Sequence, residues 1–133
     1  MTSSNKIIMF NTQLHPYQII SMIGLFPFGL LFTMKNSIIG LIIFINGLWY
    51  WSRQSLISYV SDITYNTLAI IYVNSKTSWQ PKTFYWTLIA ISIWMLNFYN
   101  KNNIINSIIH VIFVQWILAY CLLNYYNNLE VVI

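Results

Sequence analysis

Between Tyr17 and Asn124 the chain passes through five long apolar runs. Charged side chains sit in the gaps between them, with Asp62 the exception. Only 6% of the 133 residues are charged, while 58% are hydrophobic. A soluble domain spends about a quarter of its residues on charge. A surface so poor in charge is compatible with folding when the solvent is a bilayer. A spanning helix needs about 20 mostly apolar residues. The runs predict spans over 17–34, 37–51, 55–74, 83–99 and 104–124. The expected fold class is therefore all-α, a polytopic transmembrane helix bundle of about five spans. That bundle occupies 15–126, after a polar N-terminal segment (1–14) lying at the interface and before a C-terminal tail (127–133). A membrane β-barrel needs apolar and polar residues to alternate. Neither "SIIGLIIFI" (37–45) nor "IIHVIFVQWIL" (108–118) alternates. Helices satisfy their own backbone hydrogen bonds in lipid, which decides between the two.

The connections are short and polar. "SKTSWQPK" (75–82) places Pro81 where a new helix begins, and "NKNN" (100–103) makes a tight turn. Gly40 and Gly47 are seven residues apart, nearly on one helical face, where they let another backbone come close. Tyr and Trp gather at predicted ends (Trp49, Tyr50, Trp51, Tyr72, Trp79, Tyr85, Trp86), as in an interfacial belt. Five spans put the termini on opposite faces of the membrane. If the N-terminal face is side A, Lys6, Arg53 and Lys101 lie at A, while Lys35, Lys76 and Lys82 lie at B. Cations are then balanced, and the positive-inside rule sets no orientation.

The net charge of +4 comes from six scattered cations, with no basic run and no cations interleaved among aromatics. Nucleic acid is not an expected partner. The lipid bilayer and other membrane proteins in an assembly are. Cys121 is the single cysteine, so no internal disulfide forms. Zinc asks for three or four ligands, and His15, His110 and Asp62 are the candidates on offer. No metal and no other cofactor is expected.

Depth along the helices orders the polar residues. At 1.5 Å per residue, Asp62, Asn46 and His110 come to about 8–10 Å below side A, on three different spans. Asn66 and Gln115 come to about 16 Å. Ser58, Asp62 and Asn66 follow one another along one face of the third span. A lone carboxylate in hydrocarbon is costly, so Asp62 is expected to meet donors, His110 and Asn46 being the candidates. The candidate site is thus an intramembrane polar cluster of Asn46, Ser58, Asp62, Asn66, His110 and Gln115. Such a cluster serves either as hydrogen-bonding glue between helices or as a ligand or proton site. No paired carboxylates, nucleophile elbow or glycine-rich phosphate loop accompany it.

The block "NGLWYWSRQSLISYVSDITYNTLAIIYVNSKTSW" (46–79) resembles a pattern in small multispan membrane proteins of large nucleocytoplasmic DNA viruses. There an Asn-Gly helix end precedes a helix carrying D-x-x-x-N and ending in Tyr-Val-Asn. The resemblance covers about a quarter of the chain and implies a virion or replication-membrane protein. The same block is distantly similar to the alkaline ceramidases and related intramembrane hydrolases, onto whose roles Ser58, Asp62 and His110 would map. That family's paired H-x-x-x-H is missing, and the chain is two spans short of its seven.

The function expected is that of a non-catalytic integral membrane protein. It has a structural or assembly role in a lipid-containing viral particle or membrane complex, in a viral or host membrane. Two alternatives stand beside it. One is an accessory subunit of a respiratory or ATP-synthase complex in the mitochondrial inner membrane, which the 24 Ile and 14 Asn, both with AT-rich codons, also suit. The other is an intramembrane hydrolase-like or proton-linked protein using Asp62 and His110.

Overall fold

The computed structural model describes residues 7–9 and 12–132, with side chains from 14 to 128. The chain is an all-α bundle of five rods. The first rod is α1 (Pro16–Ile23) followed by α2 (Phe26–Lys35). The second is α3 (Ile38–Ser52), the third α4 (Leu56–Lys76) and the fourth α5 (Pro81–Asn97). The fifth is α6 (Asn103–His110), a π turn (Val111–Gln115) and α7 (Trp116–Val132) in continuous succession. Three rods are long and apolar enough to cross a membrane: Pro16–Lys35, Leu56–Lys76 and Asn103–Asn128. With them the chain reads as an integral membrane protein. α3 is as apolar as these, but its 15 residues give it a reach of about 22 Å against a hydrocarbon core of about 30 Å. α5 has 17 residues.

Two features go beyond the sequence reading. The N-terminal segment is, where described, a small antiparallel hairpin of β1 (Ile7–Met9) and β2 (Thr12–Leu14), with Ile7 opposite Leu14. Residues 1–6, 10 and 11 lie outside the described residues. The tail expected from 127 is helical as far as Val132, because no Gly or Pro follows Asn124 to stop α7.

Capping chemistry explains most of the helix ends. Ser37 Oγ accepts from Gly40 N–H at 2.8 Å and starts α3. Ser55 and Ser58 form a capping box at the start of α4. Asn102 Oδ1 accepts from the N–H groups of Ile104 and Ile105 and starts α6. Pro81 opens α5. Asn36, in the left-handed region at φ 54°, closes α2.

Polar hooks between rods fix their relative order. On side A, Gln18 Nε2 donates to Trp51 O at 2.7 Å, joining the start of the first rod to the end of the second. Ser21 and Ser107 share a buried hydroxyl bond at 3.1 Å. Asn97 and Asn106 each donate to the other's carbonyl, at 2.8 and 2.7 Å, joining α5 to α6. On side B, Tyr125 and Tyr72 hydroxyls meet at 3.2 Å. The fifth rod is central and touches α1, α2, α4 and α5.

The tightly packed core lies toward side B, where Leu25, Phe28, Leu31, Ile43, Val73 and Leu122 interlock. In lipid this packing is held by van der Waals fit, because hydrocarbon tails are as apolar as leucine. Outward faces are apolar as well, with Met34, Ile45, Leu68 and Leu96 among the most exposed. Gly40 and Gly47 both face α2. A Cβ at Gly40 would lie 2.7 Å from Phe28 O, a backbone atom, whereas one at Gly47 would meet the Leu25 side chain, its two methyls at 2.6 Å.

Gly40→Ala is therefore expected to destabilise the fold by about 1–3 kcal/mol through overpacking. Gly47→Ala is expected to cost less, because the clash is with a side chain and not with backbone, and the helix gains roughly 1 kcal/mol of propensity. Unfolding in mixed micelles with increasing dodecyl sulfate, followed by circular dichroism, separates the two; equal losses would contradict the backbone contact.

Candidate functional site

α4 stands away from α5 through the middle of the membrane. The two meet toward side B, where Asn74 Nδ2 donates to Thr87 Oγ1 at 3.3 Å. Elsewhere they are separated by a cavity of about 310 Å³. One face of α4 (Asp62, Ile63, Asn66, Thr67, Ile70 and Ile71) forms one wall, and Ile91 and Trp94 of α5 oppose it. His110, Val114, Gln115 and Leu118 of the fifth rod form the back, and Leu25, Phe28, Ile43 and Trp51 complete the lining. A second space of about 150 Å³ adjoins it toward side A and adds Tyr50, Tyr59, Asn97, Phe98 and Asn106. The two spaces share Trp51, Asp62, Ile63, Trp94 and His110, which form a neck between them.

The π turn places two of the polar groups. In a regular α-helix, residues five apart are about 140° apart around the axis and cannot share a wall. The i→i+5 geometry of the π turn brings them close to one face, and such turns recur at functional sites. His110 precedes this turn and Gln115 ends it, so both line the same cavity. Gly24, at the break between α1 and α2, makes room for the turn. A Cβ there would overlap Gln115 Oε1 and lie 2.6 Å from a Val111 methyl.

Four of the six residues singled out in the sequence therefore face one space: Asp62, Asn66, His110 and Gln115. Asn66 lies one turn on from Asp62, beside its carboxyl on the same wall. His110 packs its ring against Trp51, with centroids 5.6 Å apart. Asp62 and His110 look into the neck without bonding each other, which corrects the expectation that His110 serves as a direct donor. Gln115 is 6% exposed, and its Oε1 is buried against Gly24 without a hydrogen-bonding partner.

The other two are elsewhere. Asn46 lies at the expected height but is turned toward Ser61, whose hydroxyl donates to Asn46 Oδ1 at 3.1 Å. Height along a helix does not fix its rotation, and α3 is rotated to seat its glycines on α2. Ser58 is consumed by the start of α4. Its hydroxyl bonds Arg53 O at 3.0 Å and accepts from Ser55 N–H, so it is a capping residue and not part of the seam.

A further polar cluster was not singled out. Near side B, Asn124 Nδ2 donates to Thr83 Oγ1 at 3.2 Å, and Thr87 Oγ1 bonds Thr83 O at 2.8 Å beside Asn74 and Cys121. Thr83, Thr87 and Asn74 are at most 3% exposed. The usable signal was the spacing of Thr83 and Thr87, four residues apart on the face opposite Asn124. Among the described residues, no group of three His, Cys, Asp or Glu side chains is placed to hold a metal.

The site thus belongs to a helical membrane protein whose interior holds a neck and a mainly apolar chamber. Compared with known proteins, the chain matches no family model, no curated protein and no solved structure.

The Asn46–Ser61 bond, being interhelical and in lipid, is expected to contribute about 0.6 kcal/mol and at most about 1.7 kcal/mol. A double-mutant cycle of Asn46→Ala and Ser61→Ala, read by reversible unfolding in micelles, measures it. A coupling near zero would mean that the two residues do not meet.

Proposed function

We propose that the protein is a non-catalytic membrane component that packs against another membrane protein through its α3–α4 face. The lipid-bearing particle or replication membrane of a large DNA virus is the setting this reading favours. The observation that carries it is Tyr65. It lies nine residues into the 21-residue α4, about 14 Å along the helix and so near mid-bilayer. It is nevertheless 45% exposed. Tyrosine ordinarily sits at the membrane–water interface, where its hydroxyl is hydrated. Near mid-bilayer, an outward phenol without a partner carries a desolvation cost that an acceptor on a neighbouring helix would remove. Tyr65 also borders a surface groove with Ile38, Ile42, Leu68, Tyr72 and Tyr126. α4 is the least covered of the three full-length rods, with 11% of its central window buried against 33% for the other two.

A photoreactive phenylalanine analogue at position 65, activated in the native membrane, is expected to give one discrete protein adduct. The same analogue at Leu96, on the outer face of α5, is expected to give lipid adducts. Tyr65→Phe is expected to shift the protein toward a smaller species on a native gel while leaving its helicity unchanged. Lipid adducts alone at position 65, with no change in native size for Tyr65→Phe, would overturn the reading.

A further inference from the structure

The paired cavity calls for something the assembly reading does not use. The outer space is walled by Tyr50, Trp51, Tyr59 and Trp94 around the Asp62 carboxyl. The rings are set at angles to one another: Tyr50 and Trp51 meet edge-on at 4.9 Å, and Tyr50 and Tyr59 are tilted at 5.6 Å. Aromatic rings beside a carboxylate are side chains that attract an organic ammonium, through direct charge pairing and through cation–π attraction to a ring face. One helical turn deeper, about 6 Å below Asp62, lies a second polar level of Asn66 and Gln115. Both side chains line the chamber at this level, with Gln115 Oε1 itself buried against Gly24. Beyond it the lining is aliphatic. Its volume of about 310 Å³ leaves room for an apolar chain. The chamber is also reachable from the bilayer. Thr67 and Ile71 line it yet are exposed on the α4 surface, so the gap between α4 and α5 opens sideways at hydrocarbon depth.

We propose that this paired cavity binds an ammonium-headed amphiphile. The cationic head sits in the aromatic neck beside Asp62, a polar linkage lies at the level of Asn66 and Gln115, and one apolar chain fills the inner chamber. The ligand enters through the α4–α5 gap. Its ammonium belongs either to a membrane lipid, with one chain in the chamber and any second chain left in the bilayer, or to a single-chain amine.

The test uses the full-length protein in neutral maltoside micelles, titrated with dodecyltrimethylammonium and followed by tryptophan fluorescence, since Trp51 and Trp94 border the neck. Saturable one-to-one binding is expected, at least tenfold tighter than for dodecanol, which has the same chain and no charge. Asp62→Asn keeps the side chain's shape and is expected to weaken ammonium binding at least tenfold while leaving dodecanol binding unchanged. Ile91→Trp fills the chamber from an apolar wall position and is expected to abolish binding of both, with an unaltered circular dichroism spectrum. Native mass spectrometry of protein released from its membrane then identifies the source. A retained choline- or ethanolamine-headed lipid that Ile91→Trp loses marks the lipid, while probe binding without a retained lipid marks a free amine. Equal affinity for dodecanol, or ammonium binding indifferent to both substitutions, overturns the proposal.

Discussion

Hydrocarbon offers a buried polar group no alternative partner, and the architecture is organised around that constraint. Backbone groups are satisfied within helices. Many side-chain polar groups form pairs that tie one rod to the next: Gln18 to Trp51 O, Ser21 to Ser107, Asn46 to Ser61, Asn97 to Asn106 and Asn124 to Thr83, while Oδ1 of Asn74, Oδ1 of Asn97 and Oε1 of Gln115 stay buried without a partner. Apolar packing alone would hold these helices loosely, because lipid competes for the same contacts. The polar pairs supply the register, and the core near side B supplies the fit.

These ties also explain why a cavity persists in the middle. α4 is pinned near one end by Ser61 on Asn46 and near the other by Asn74 on Thr87. Between these points it spans the chamber instead of collapsing onto α5. The π turn works in the same direction from the other wall. It widens the fifth rod locally and turns both His110 and Gln115 inward, and Gly24 accommodates it. A broken first rod, a widened fifth rod and a bridging α4 together leave a partly buried Asp62 at the mouth of the space between α4 and α5.

Much of the bundle was legible because long apolar runs and the Asn, Ser and Pro at their ends act locally. α3, α4 and α6 begin within a residue or two of the positions that the runs and their capping residues indicate. The heights of Asp62, Asn66, His110 and Gln115 were legible too, since rise per residue is nearly constant. Rotation was not. Asn46 shares the height of Asp62 but faces Ser61, because α3 is oriented by Gly40 and Gly47 against α2, a tertiary contact that no local pattern encodes. The π turn was invisible for a similar reason, as it depends on the space beside Gly24 on a different rod. The role of Ser58 is not legible locally, because a serine three residues past a helix start can equally be a capping group or a seam residue. Thr83 and Thr87 were passed over because threonine sits comfortably in an apolar run, its hydroxyl bonded back to its own helix.

A density map of the protein in a lipid nanodisc, at a resolution that shows side chains, tests the central claim most directly. The account predicts the Asp62 carboxyl and the His110 ring on opposite sides of one internal neck, with Gln115 one turn deeper on the same wall. A map with Asp62 turned out against lipid, or with a regular α-helix through 111–115 carrying Gln115 away from His110, would contradict it.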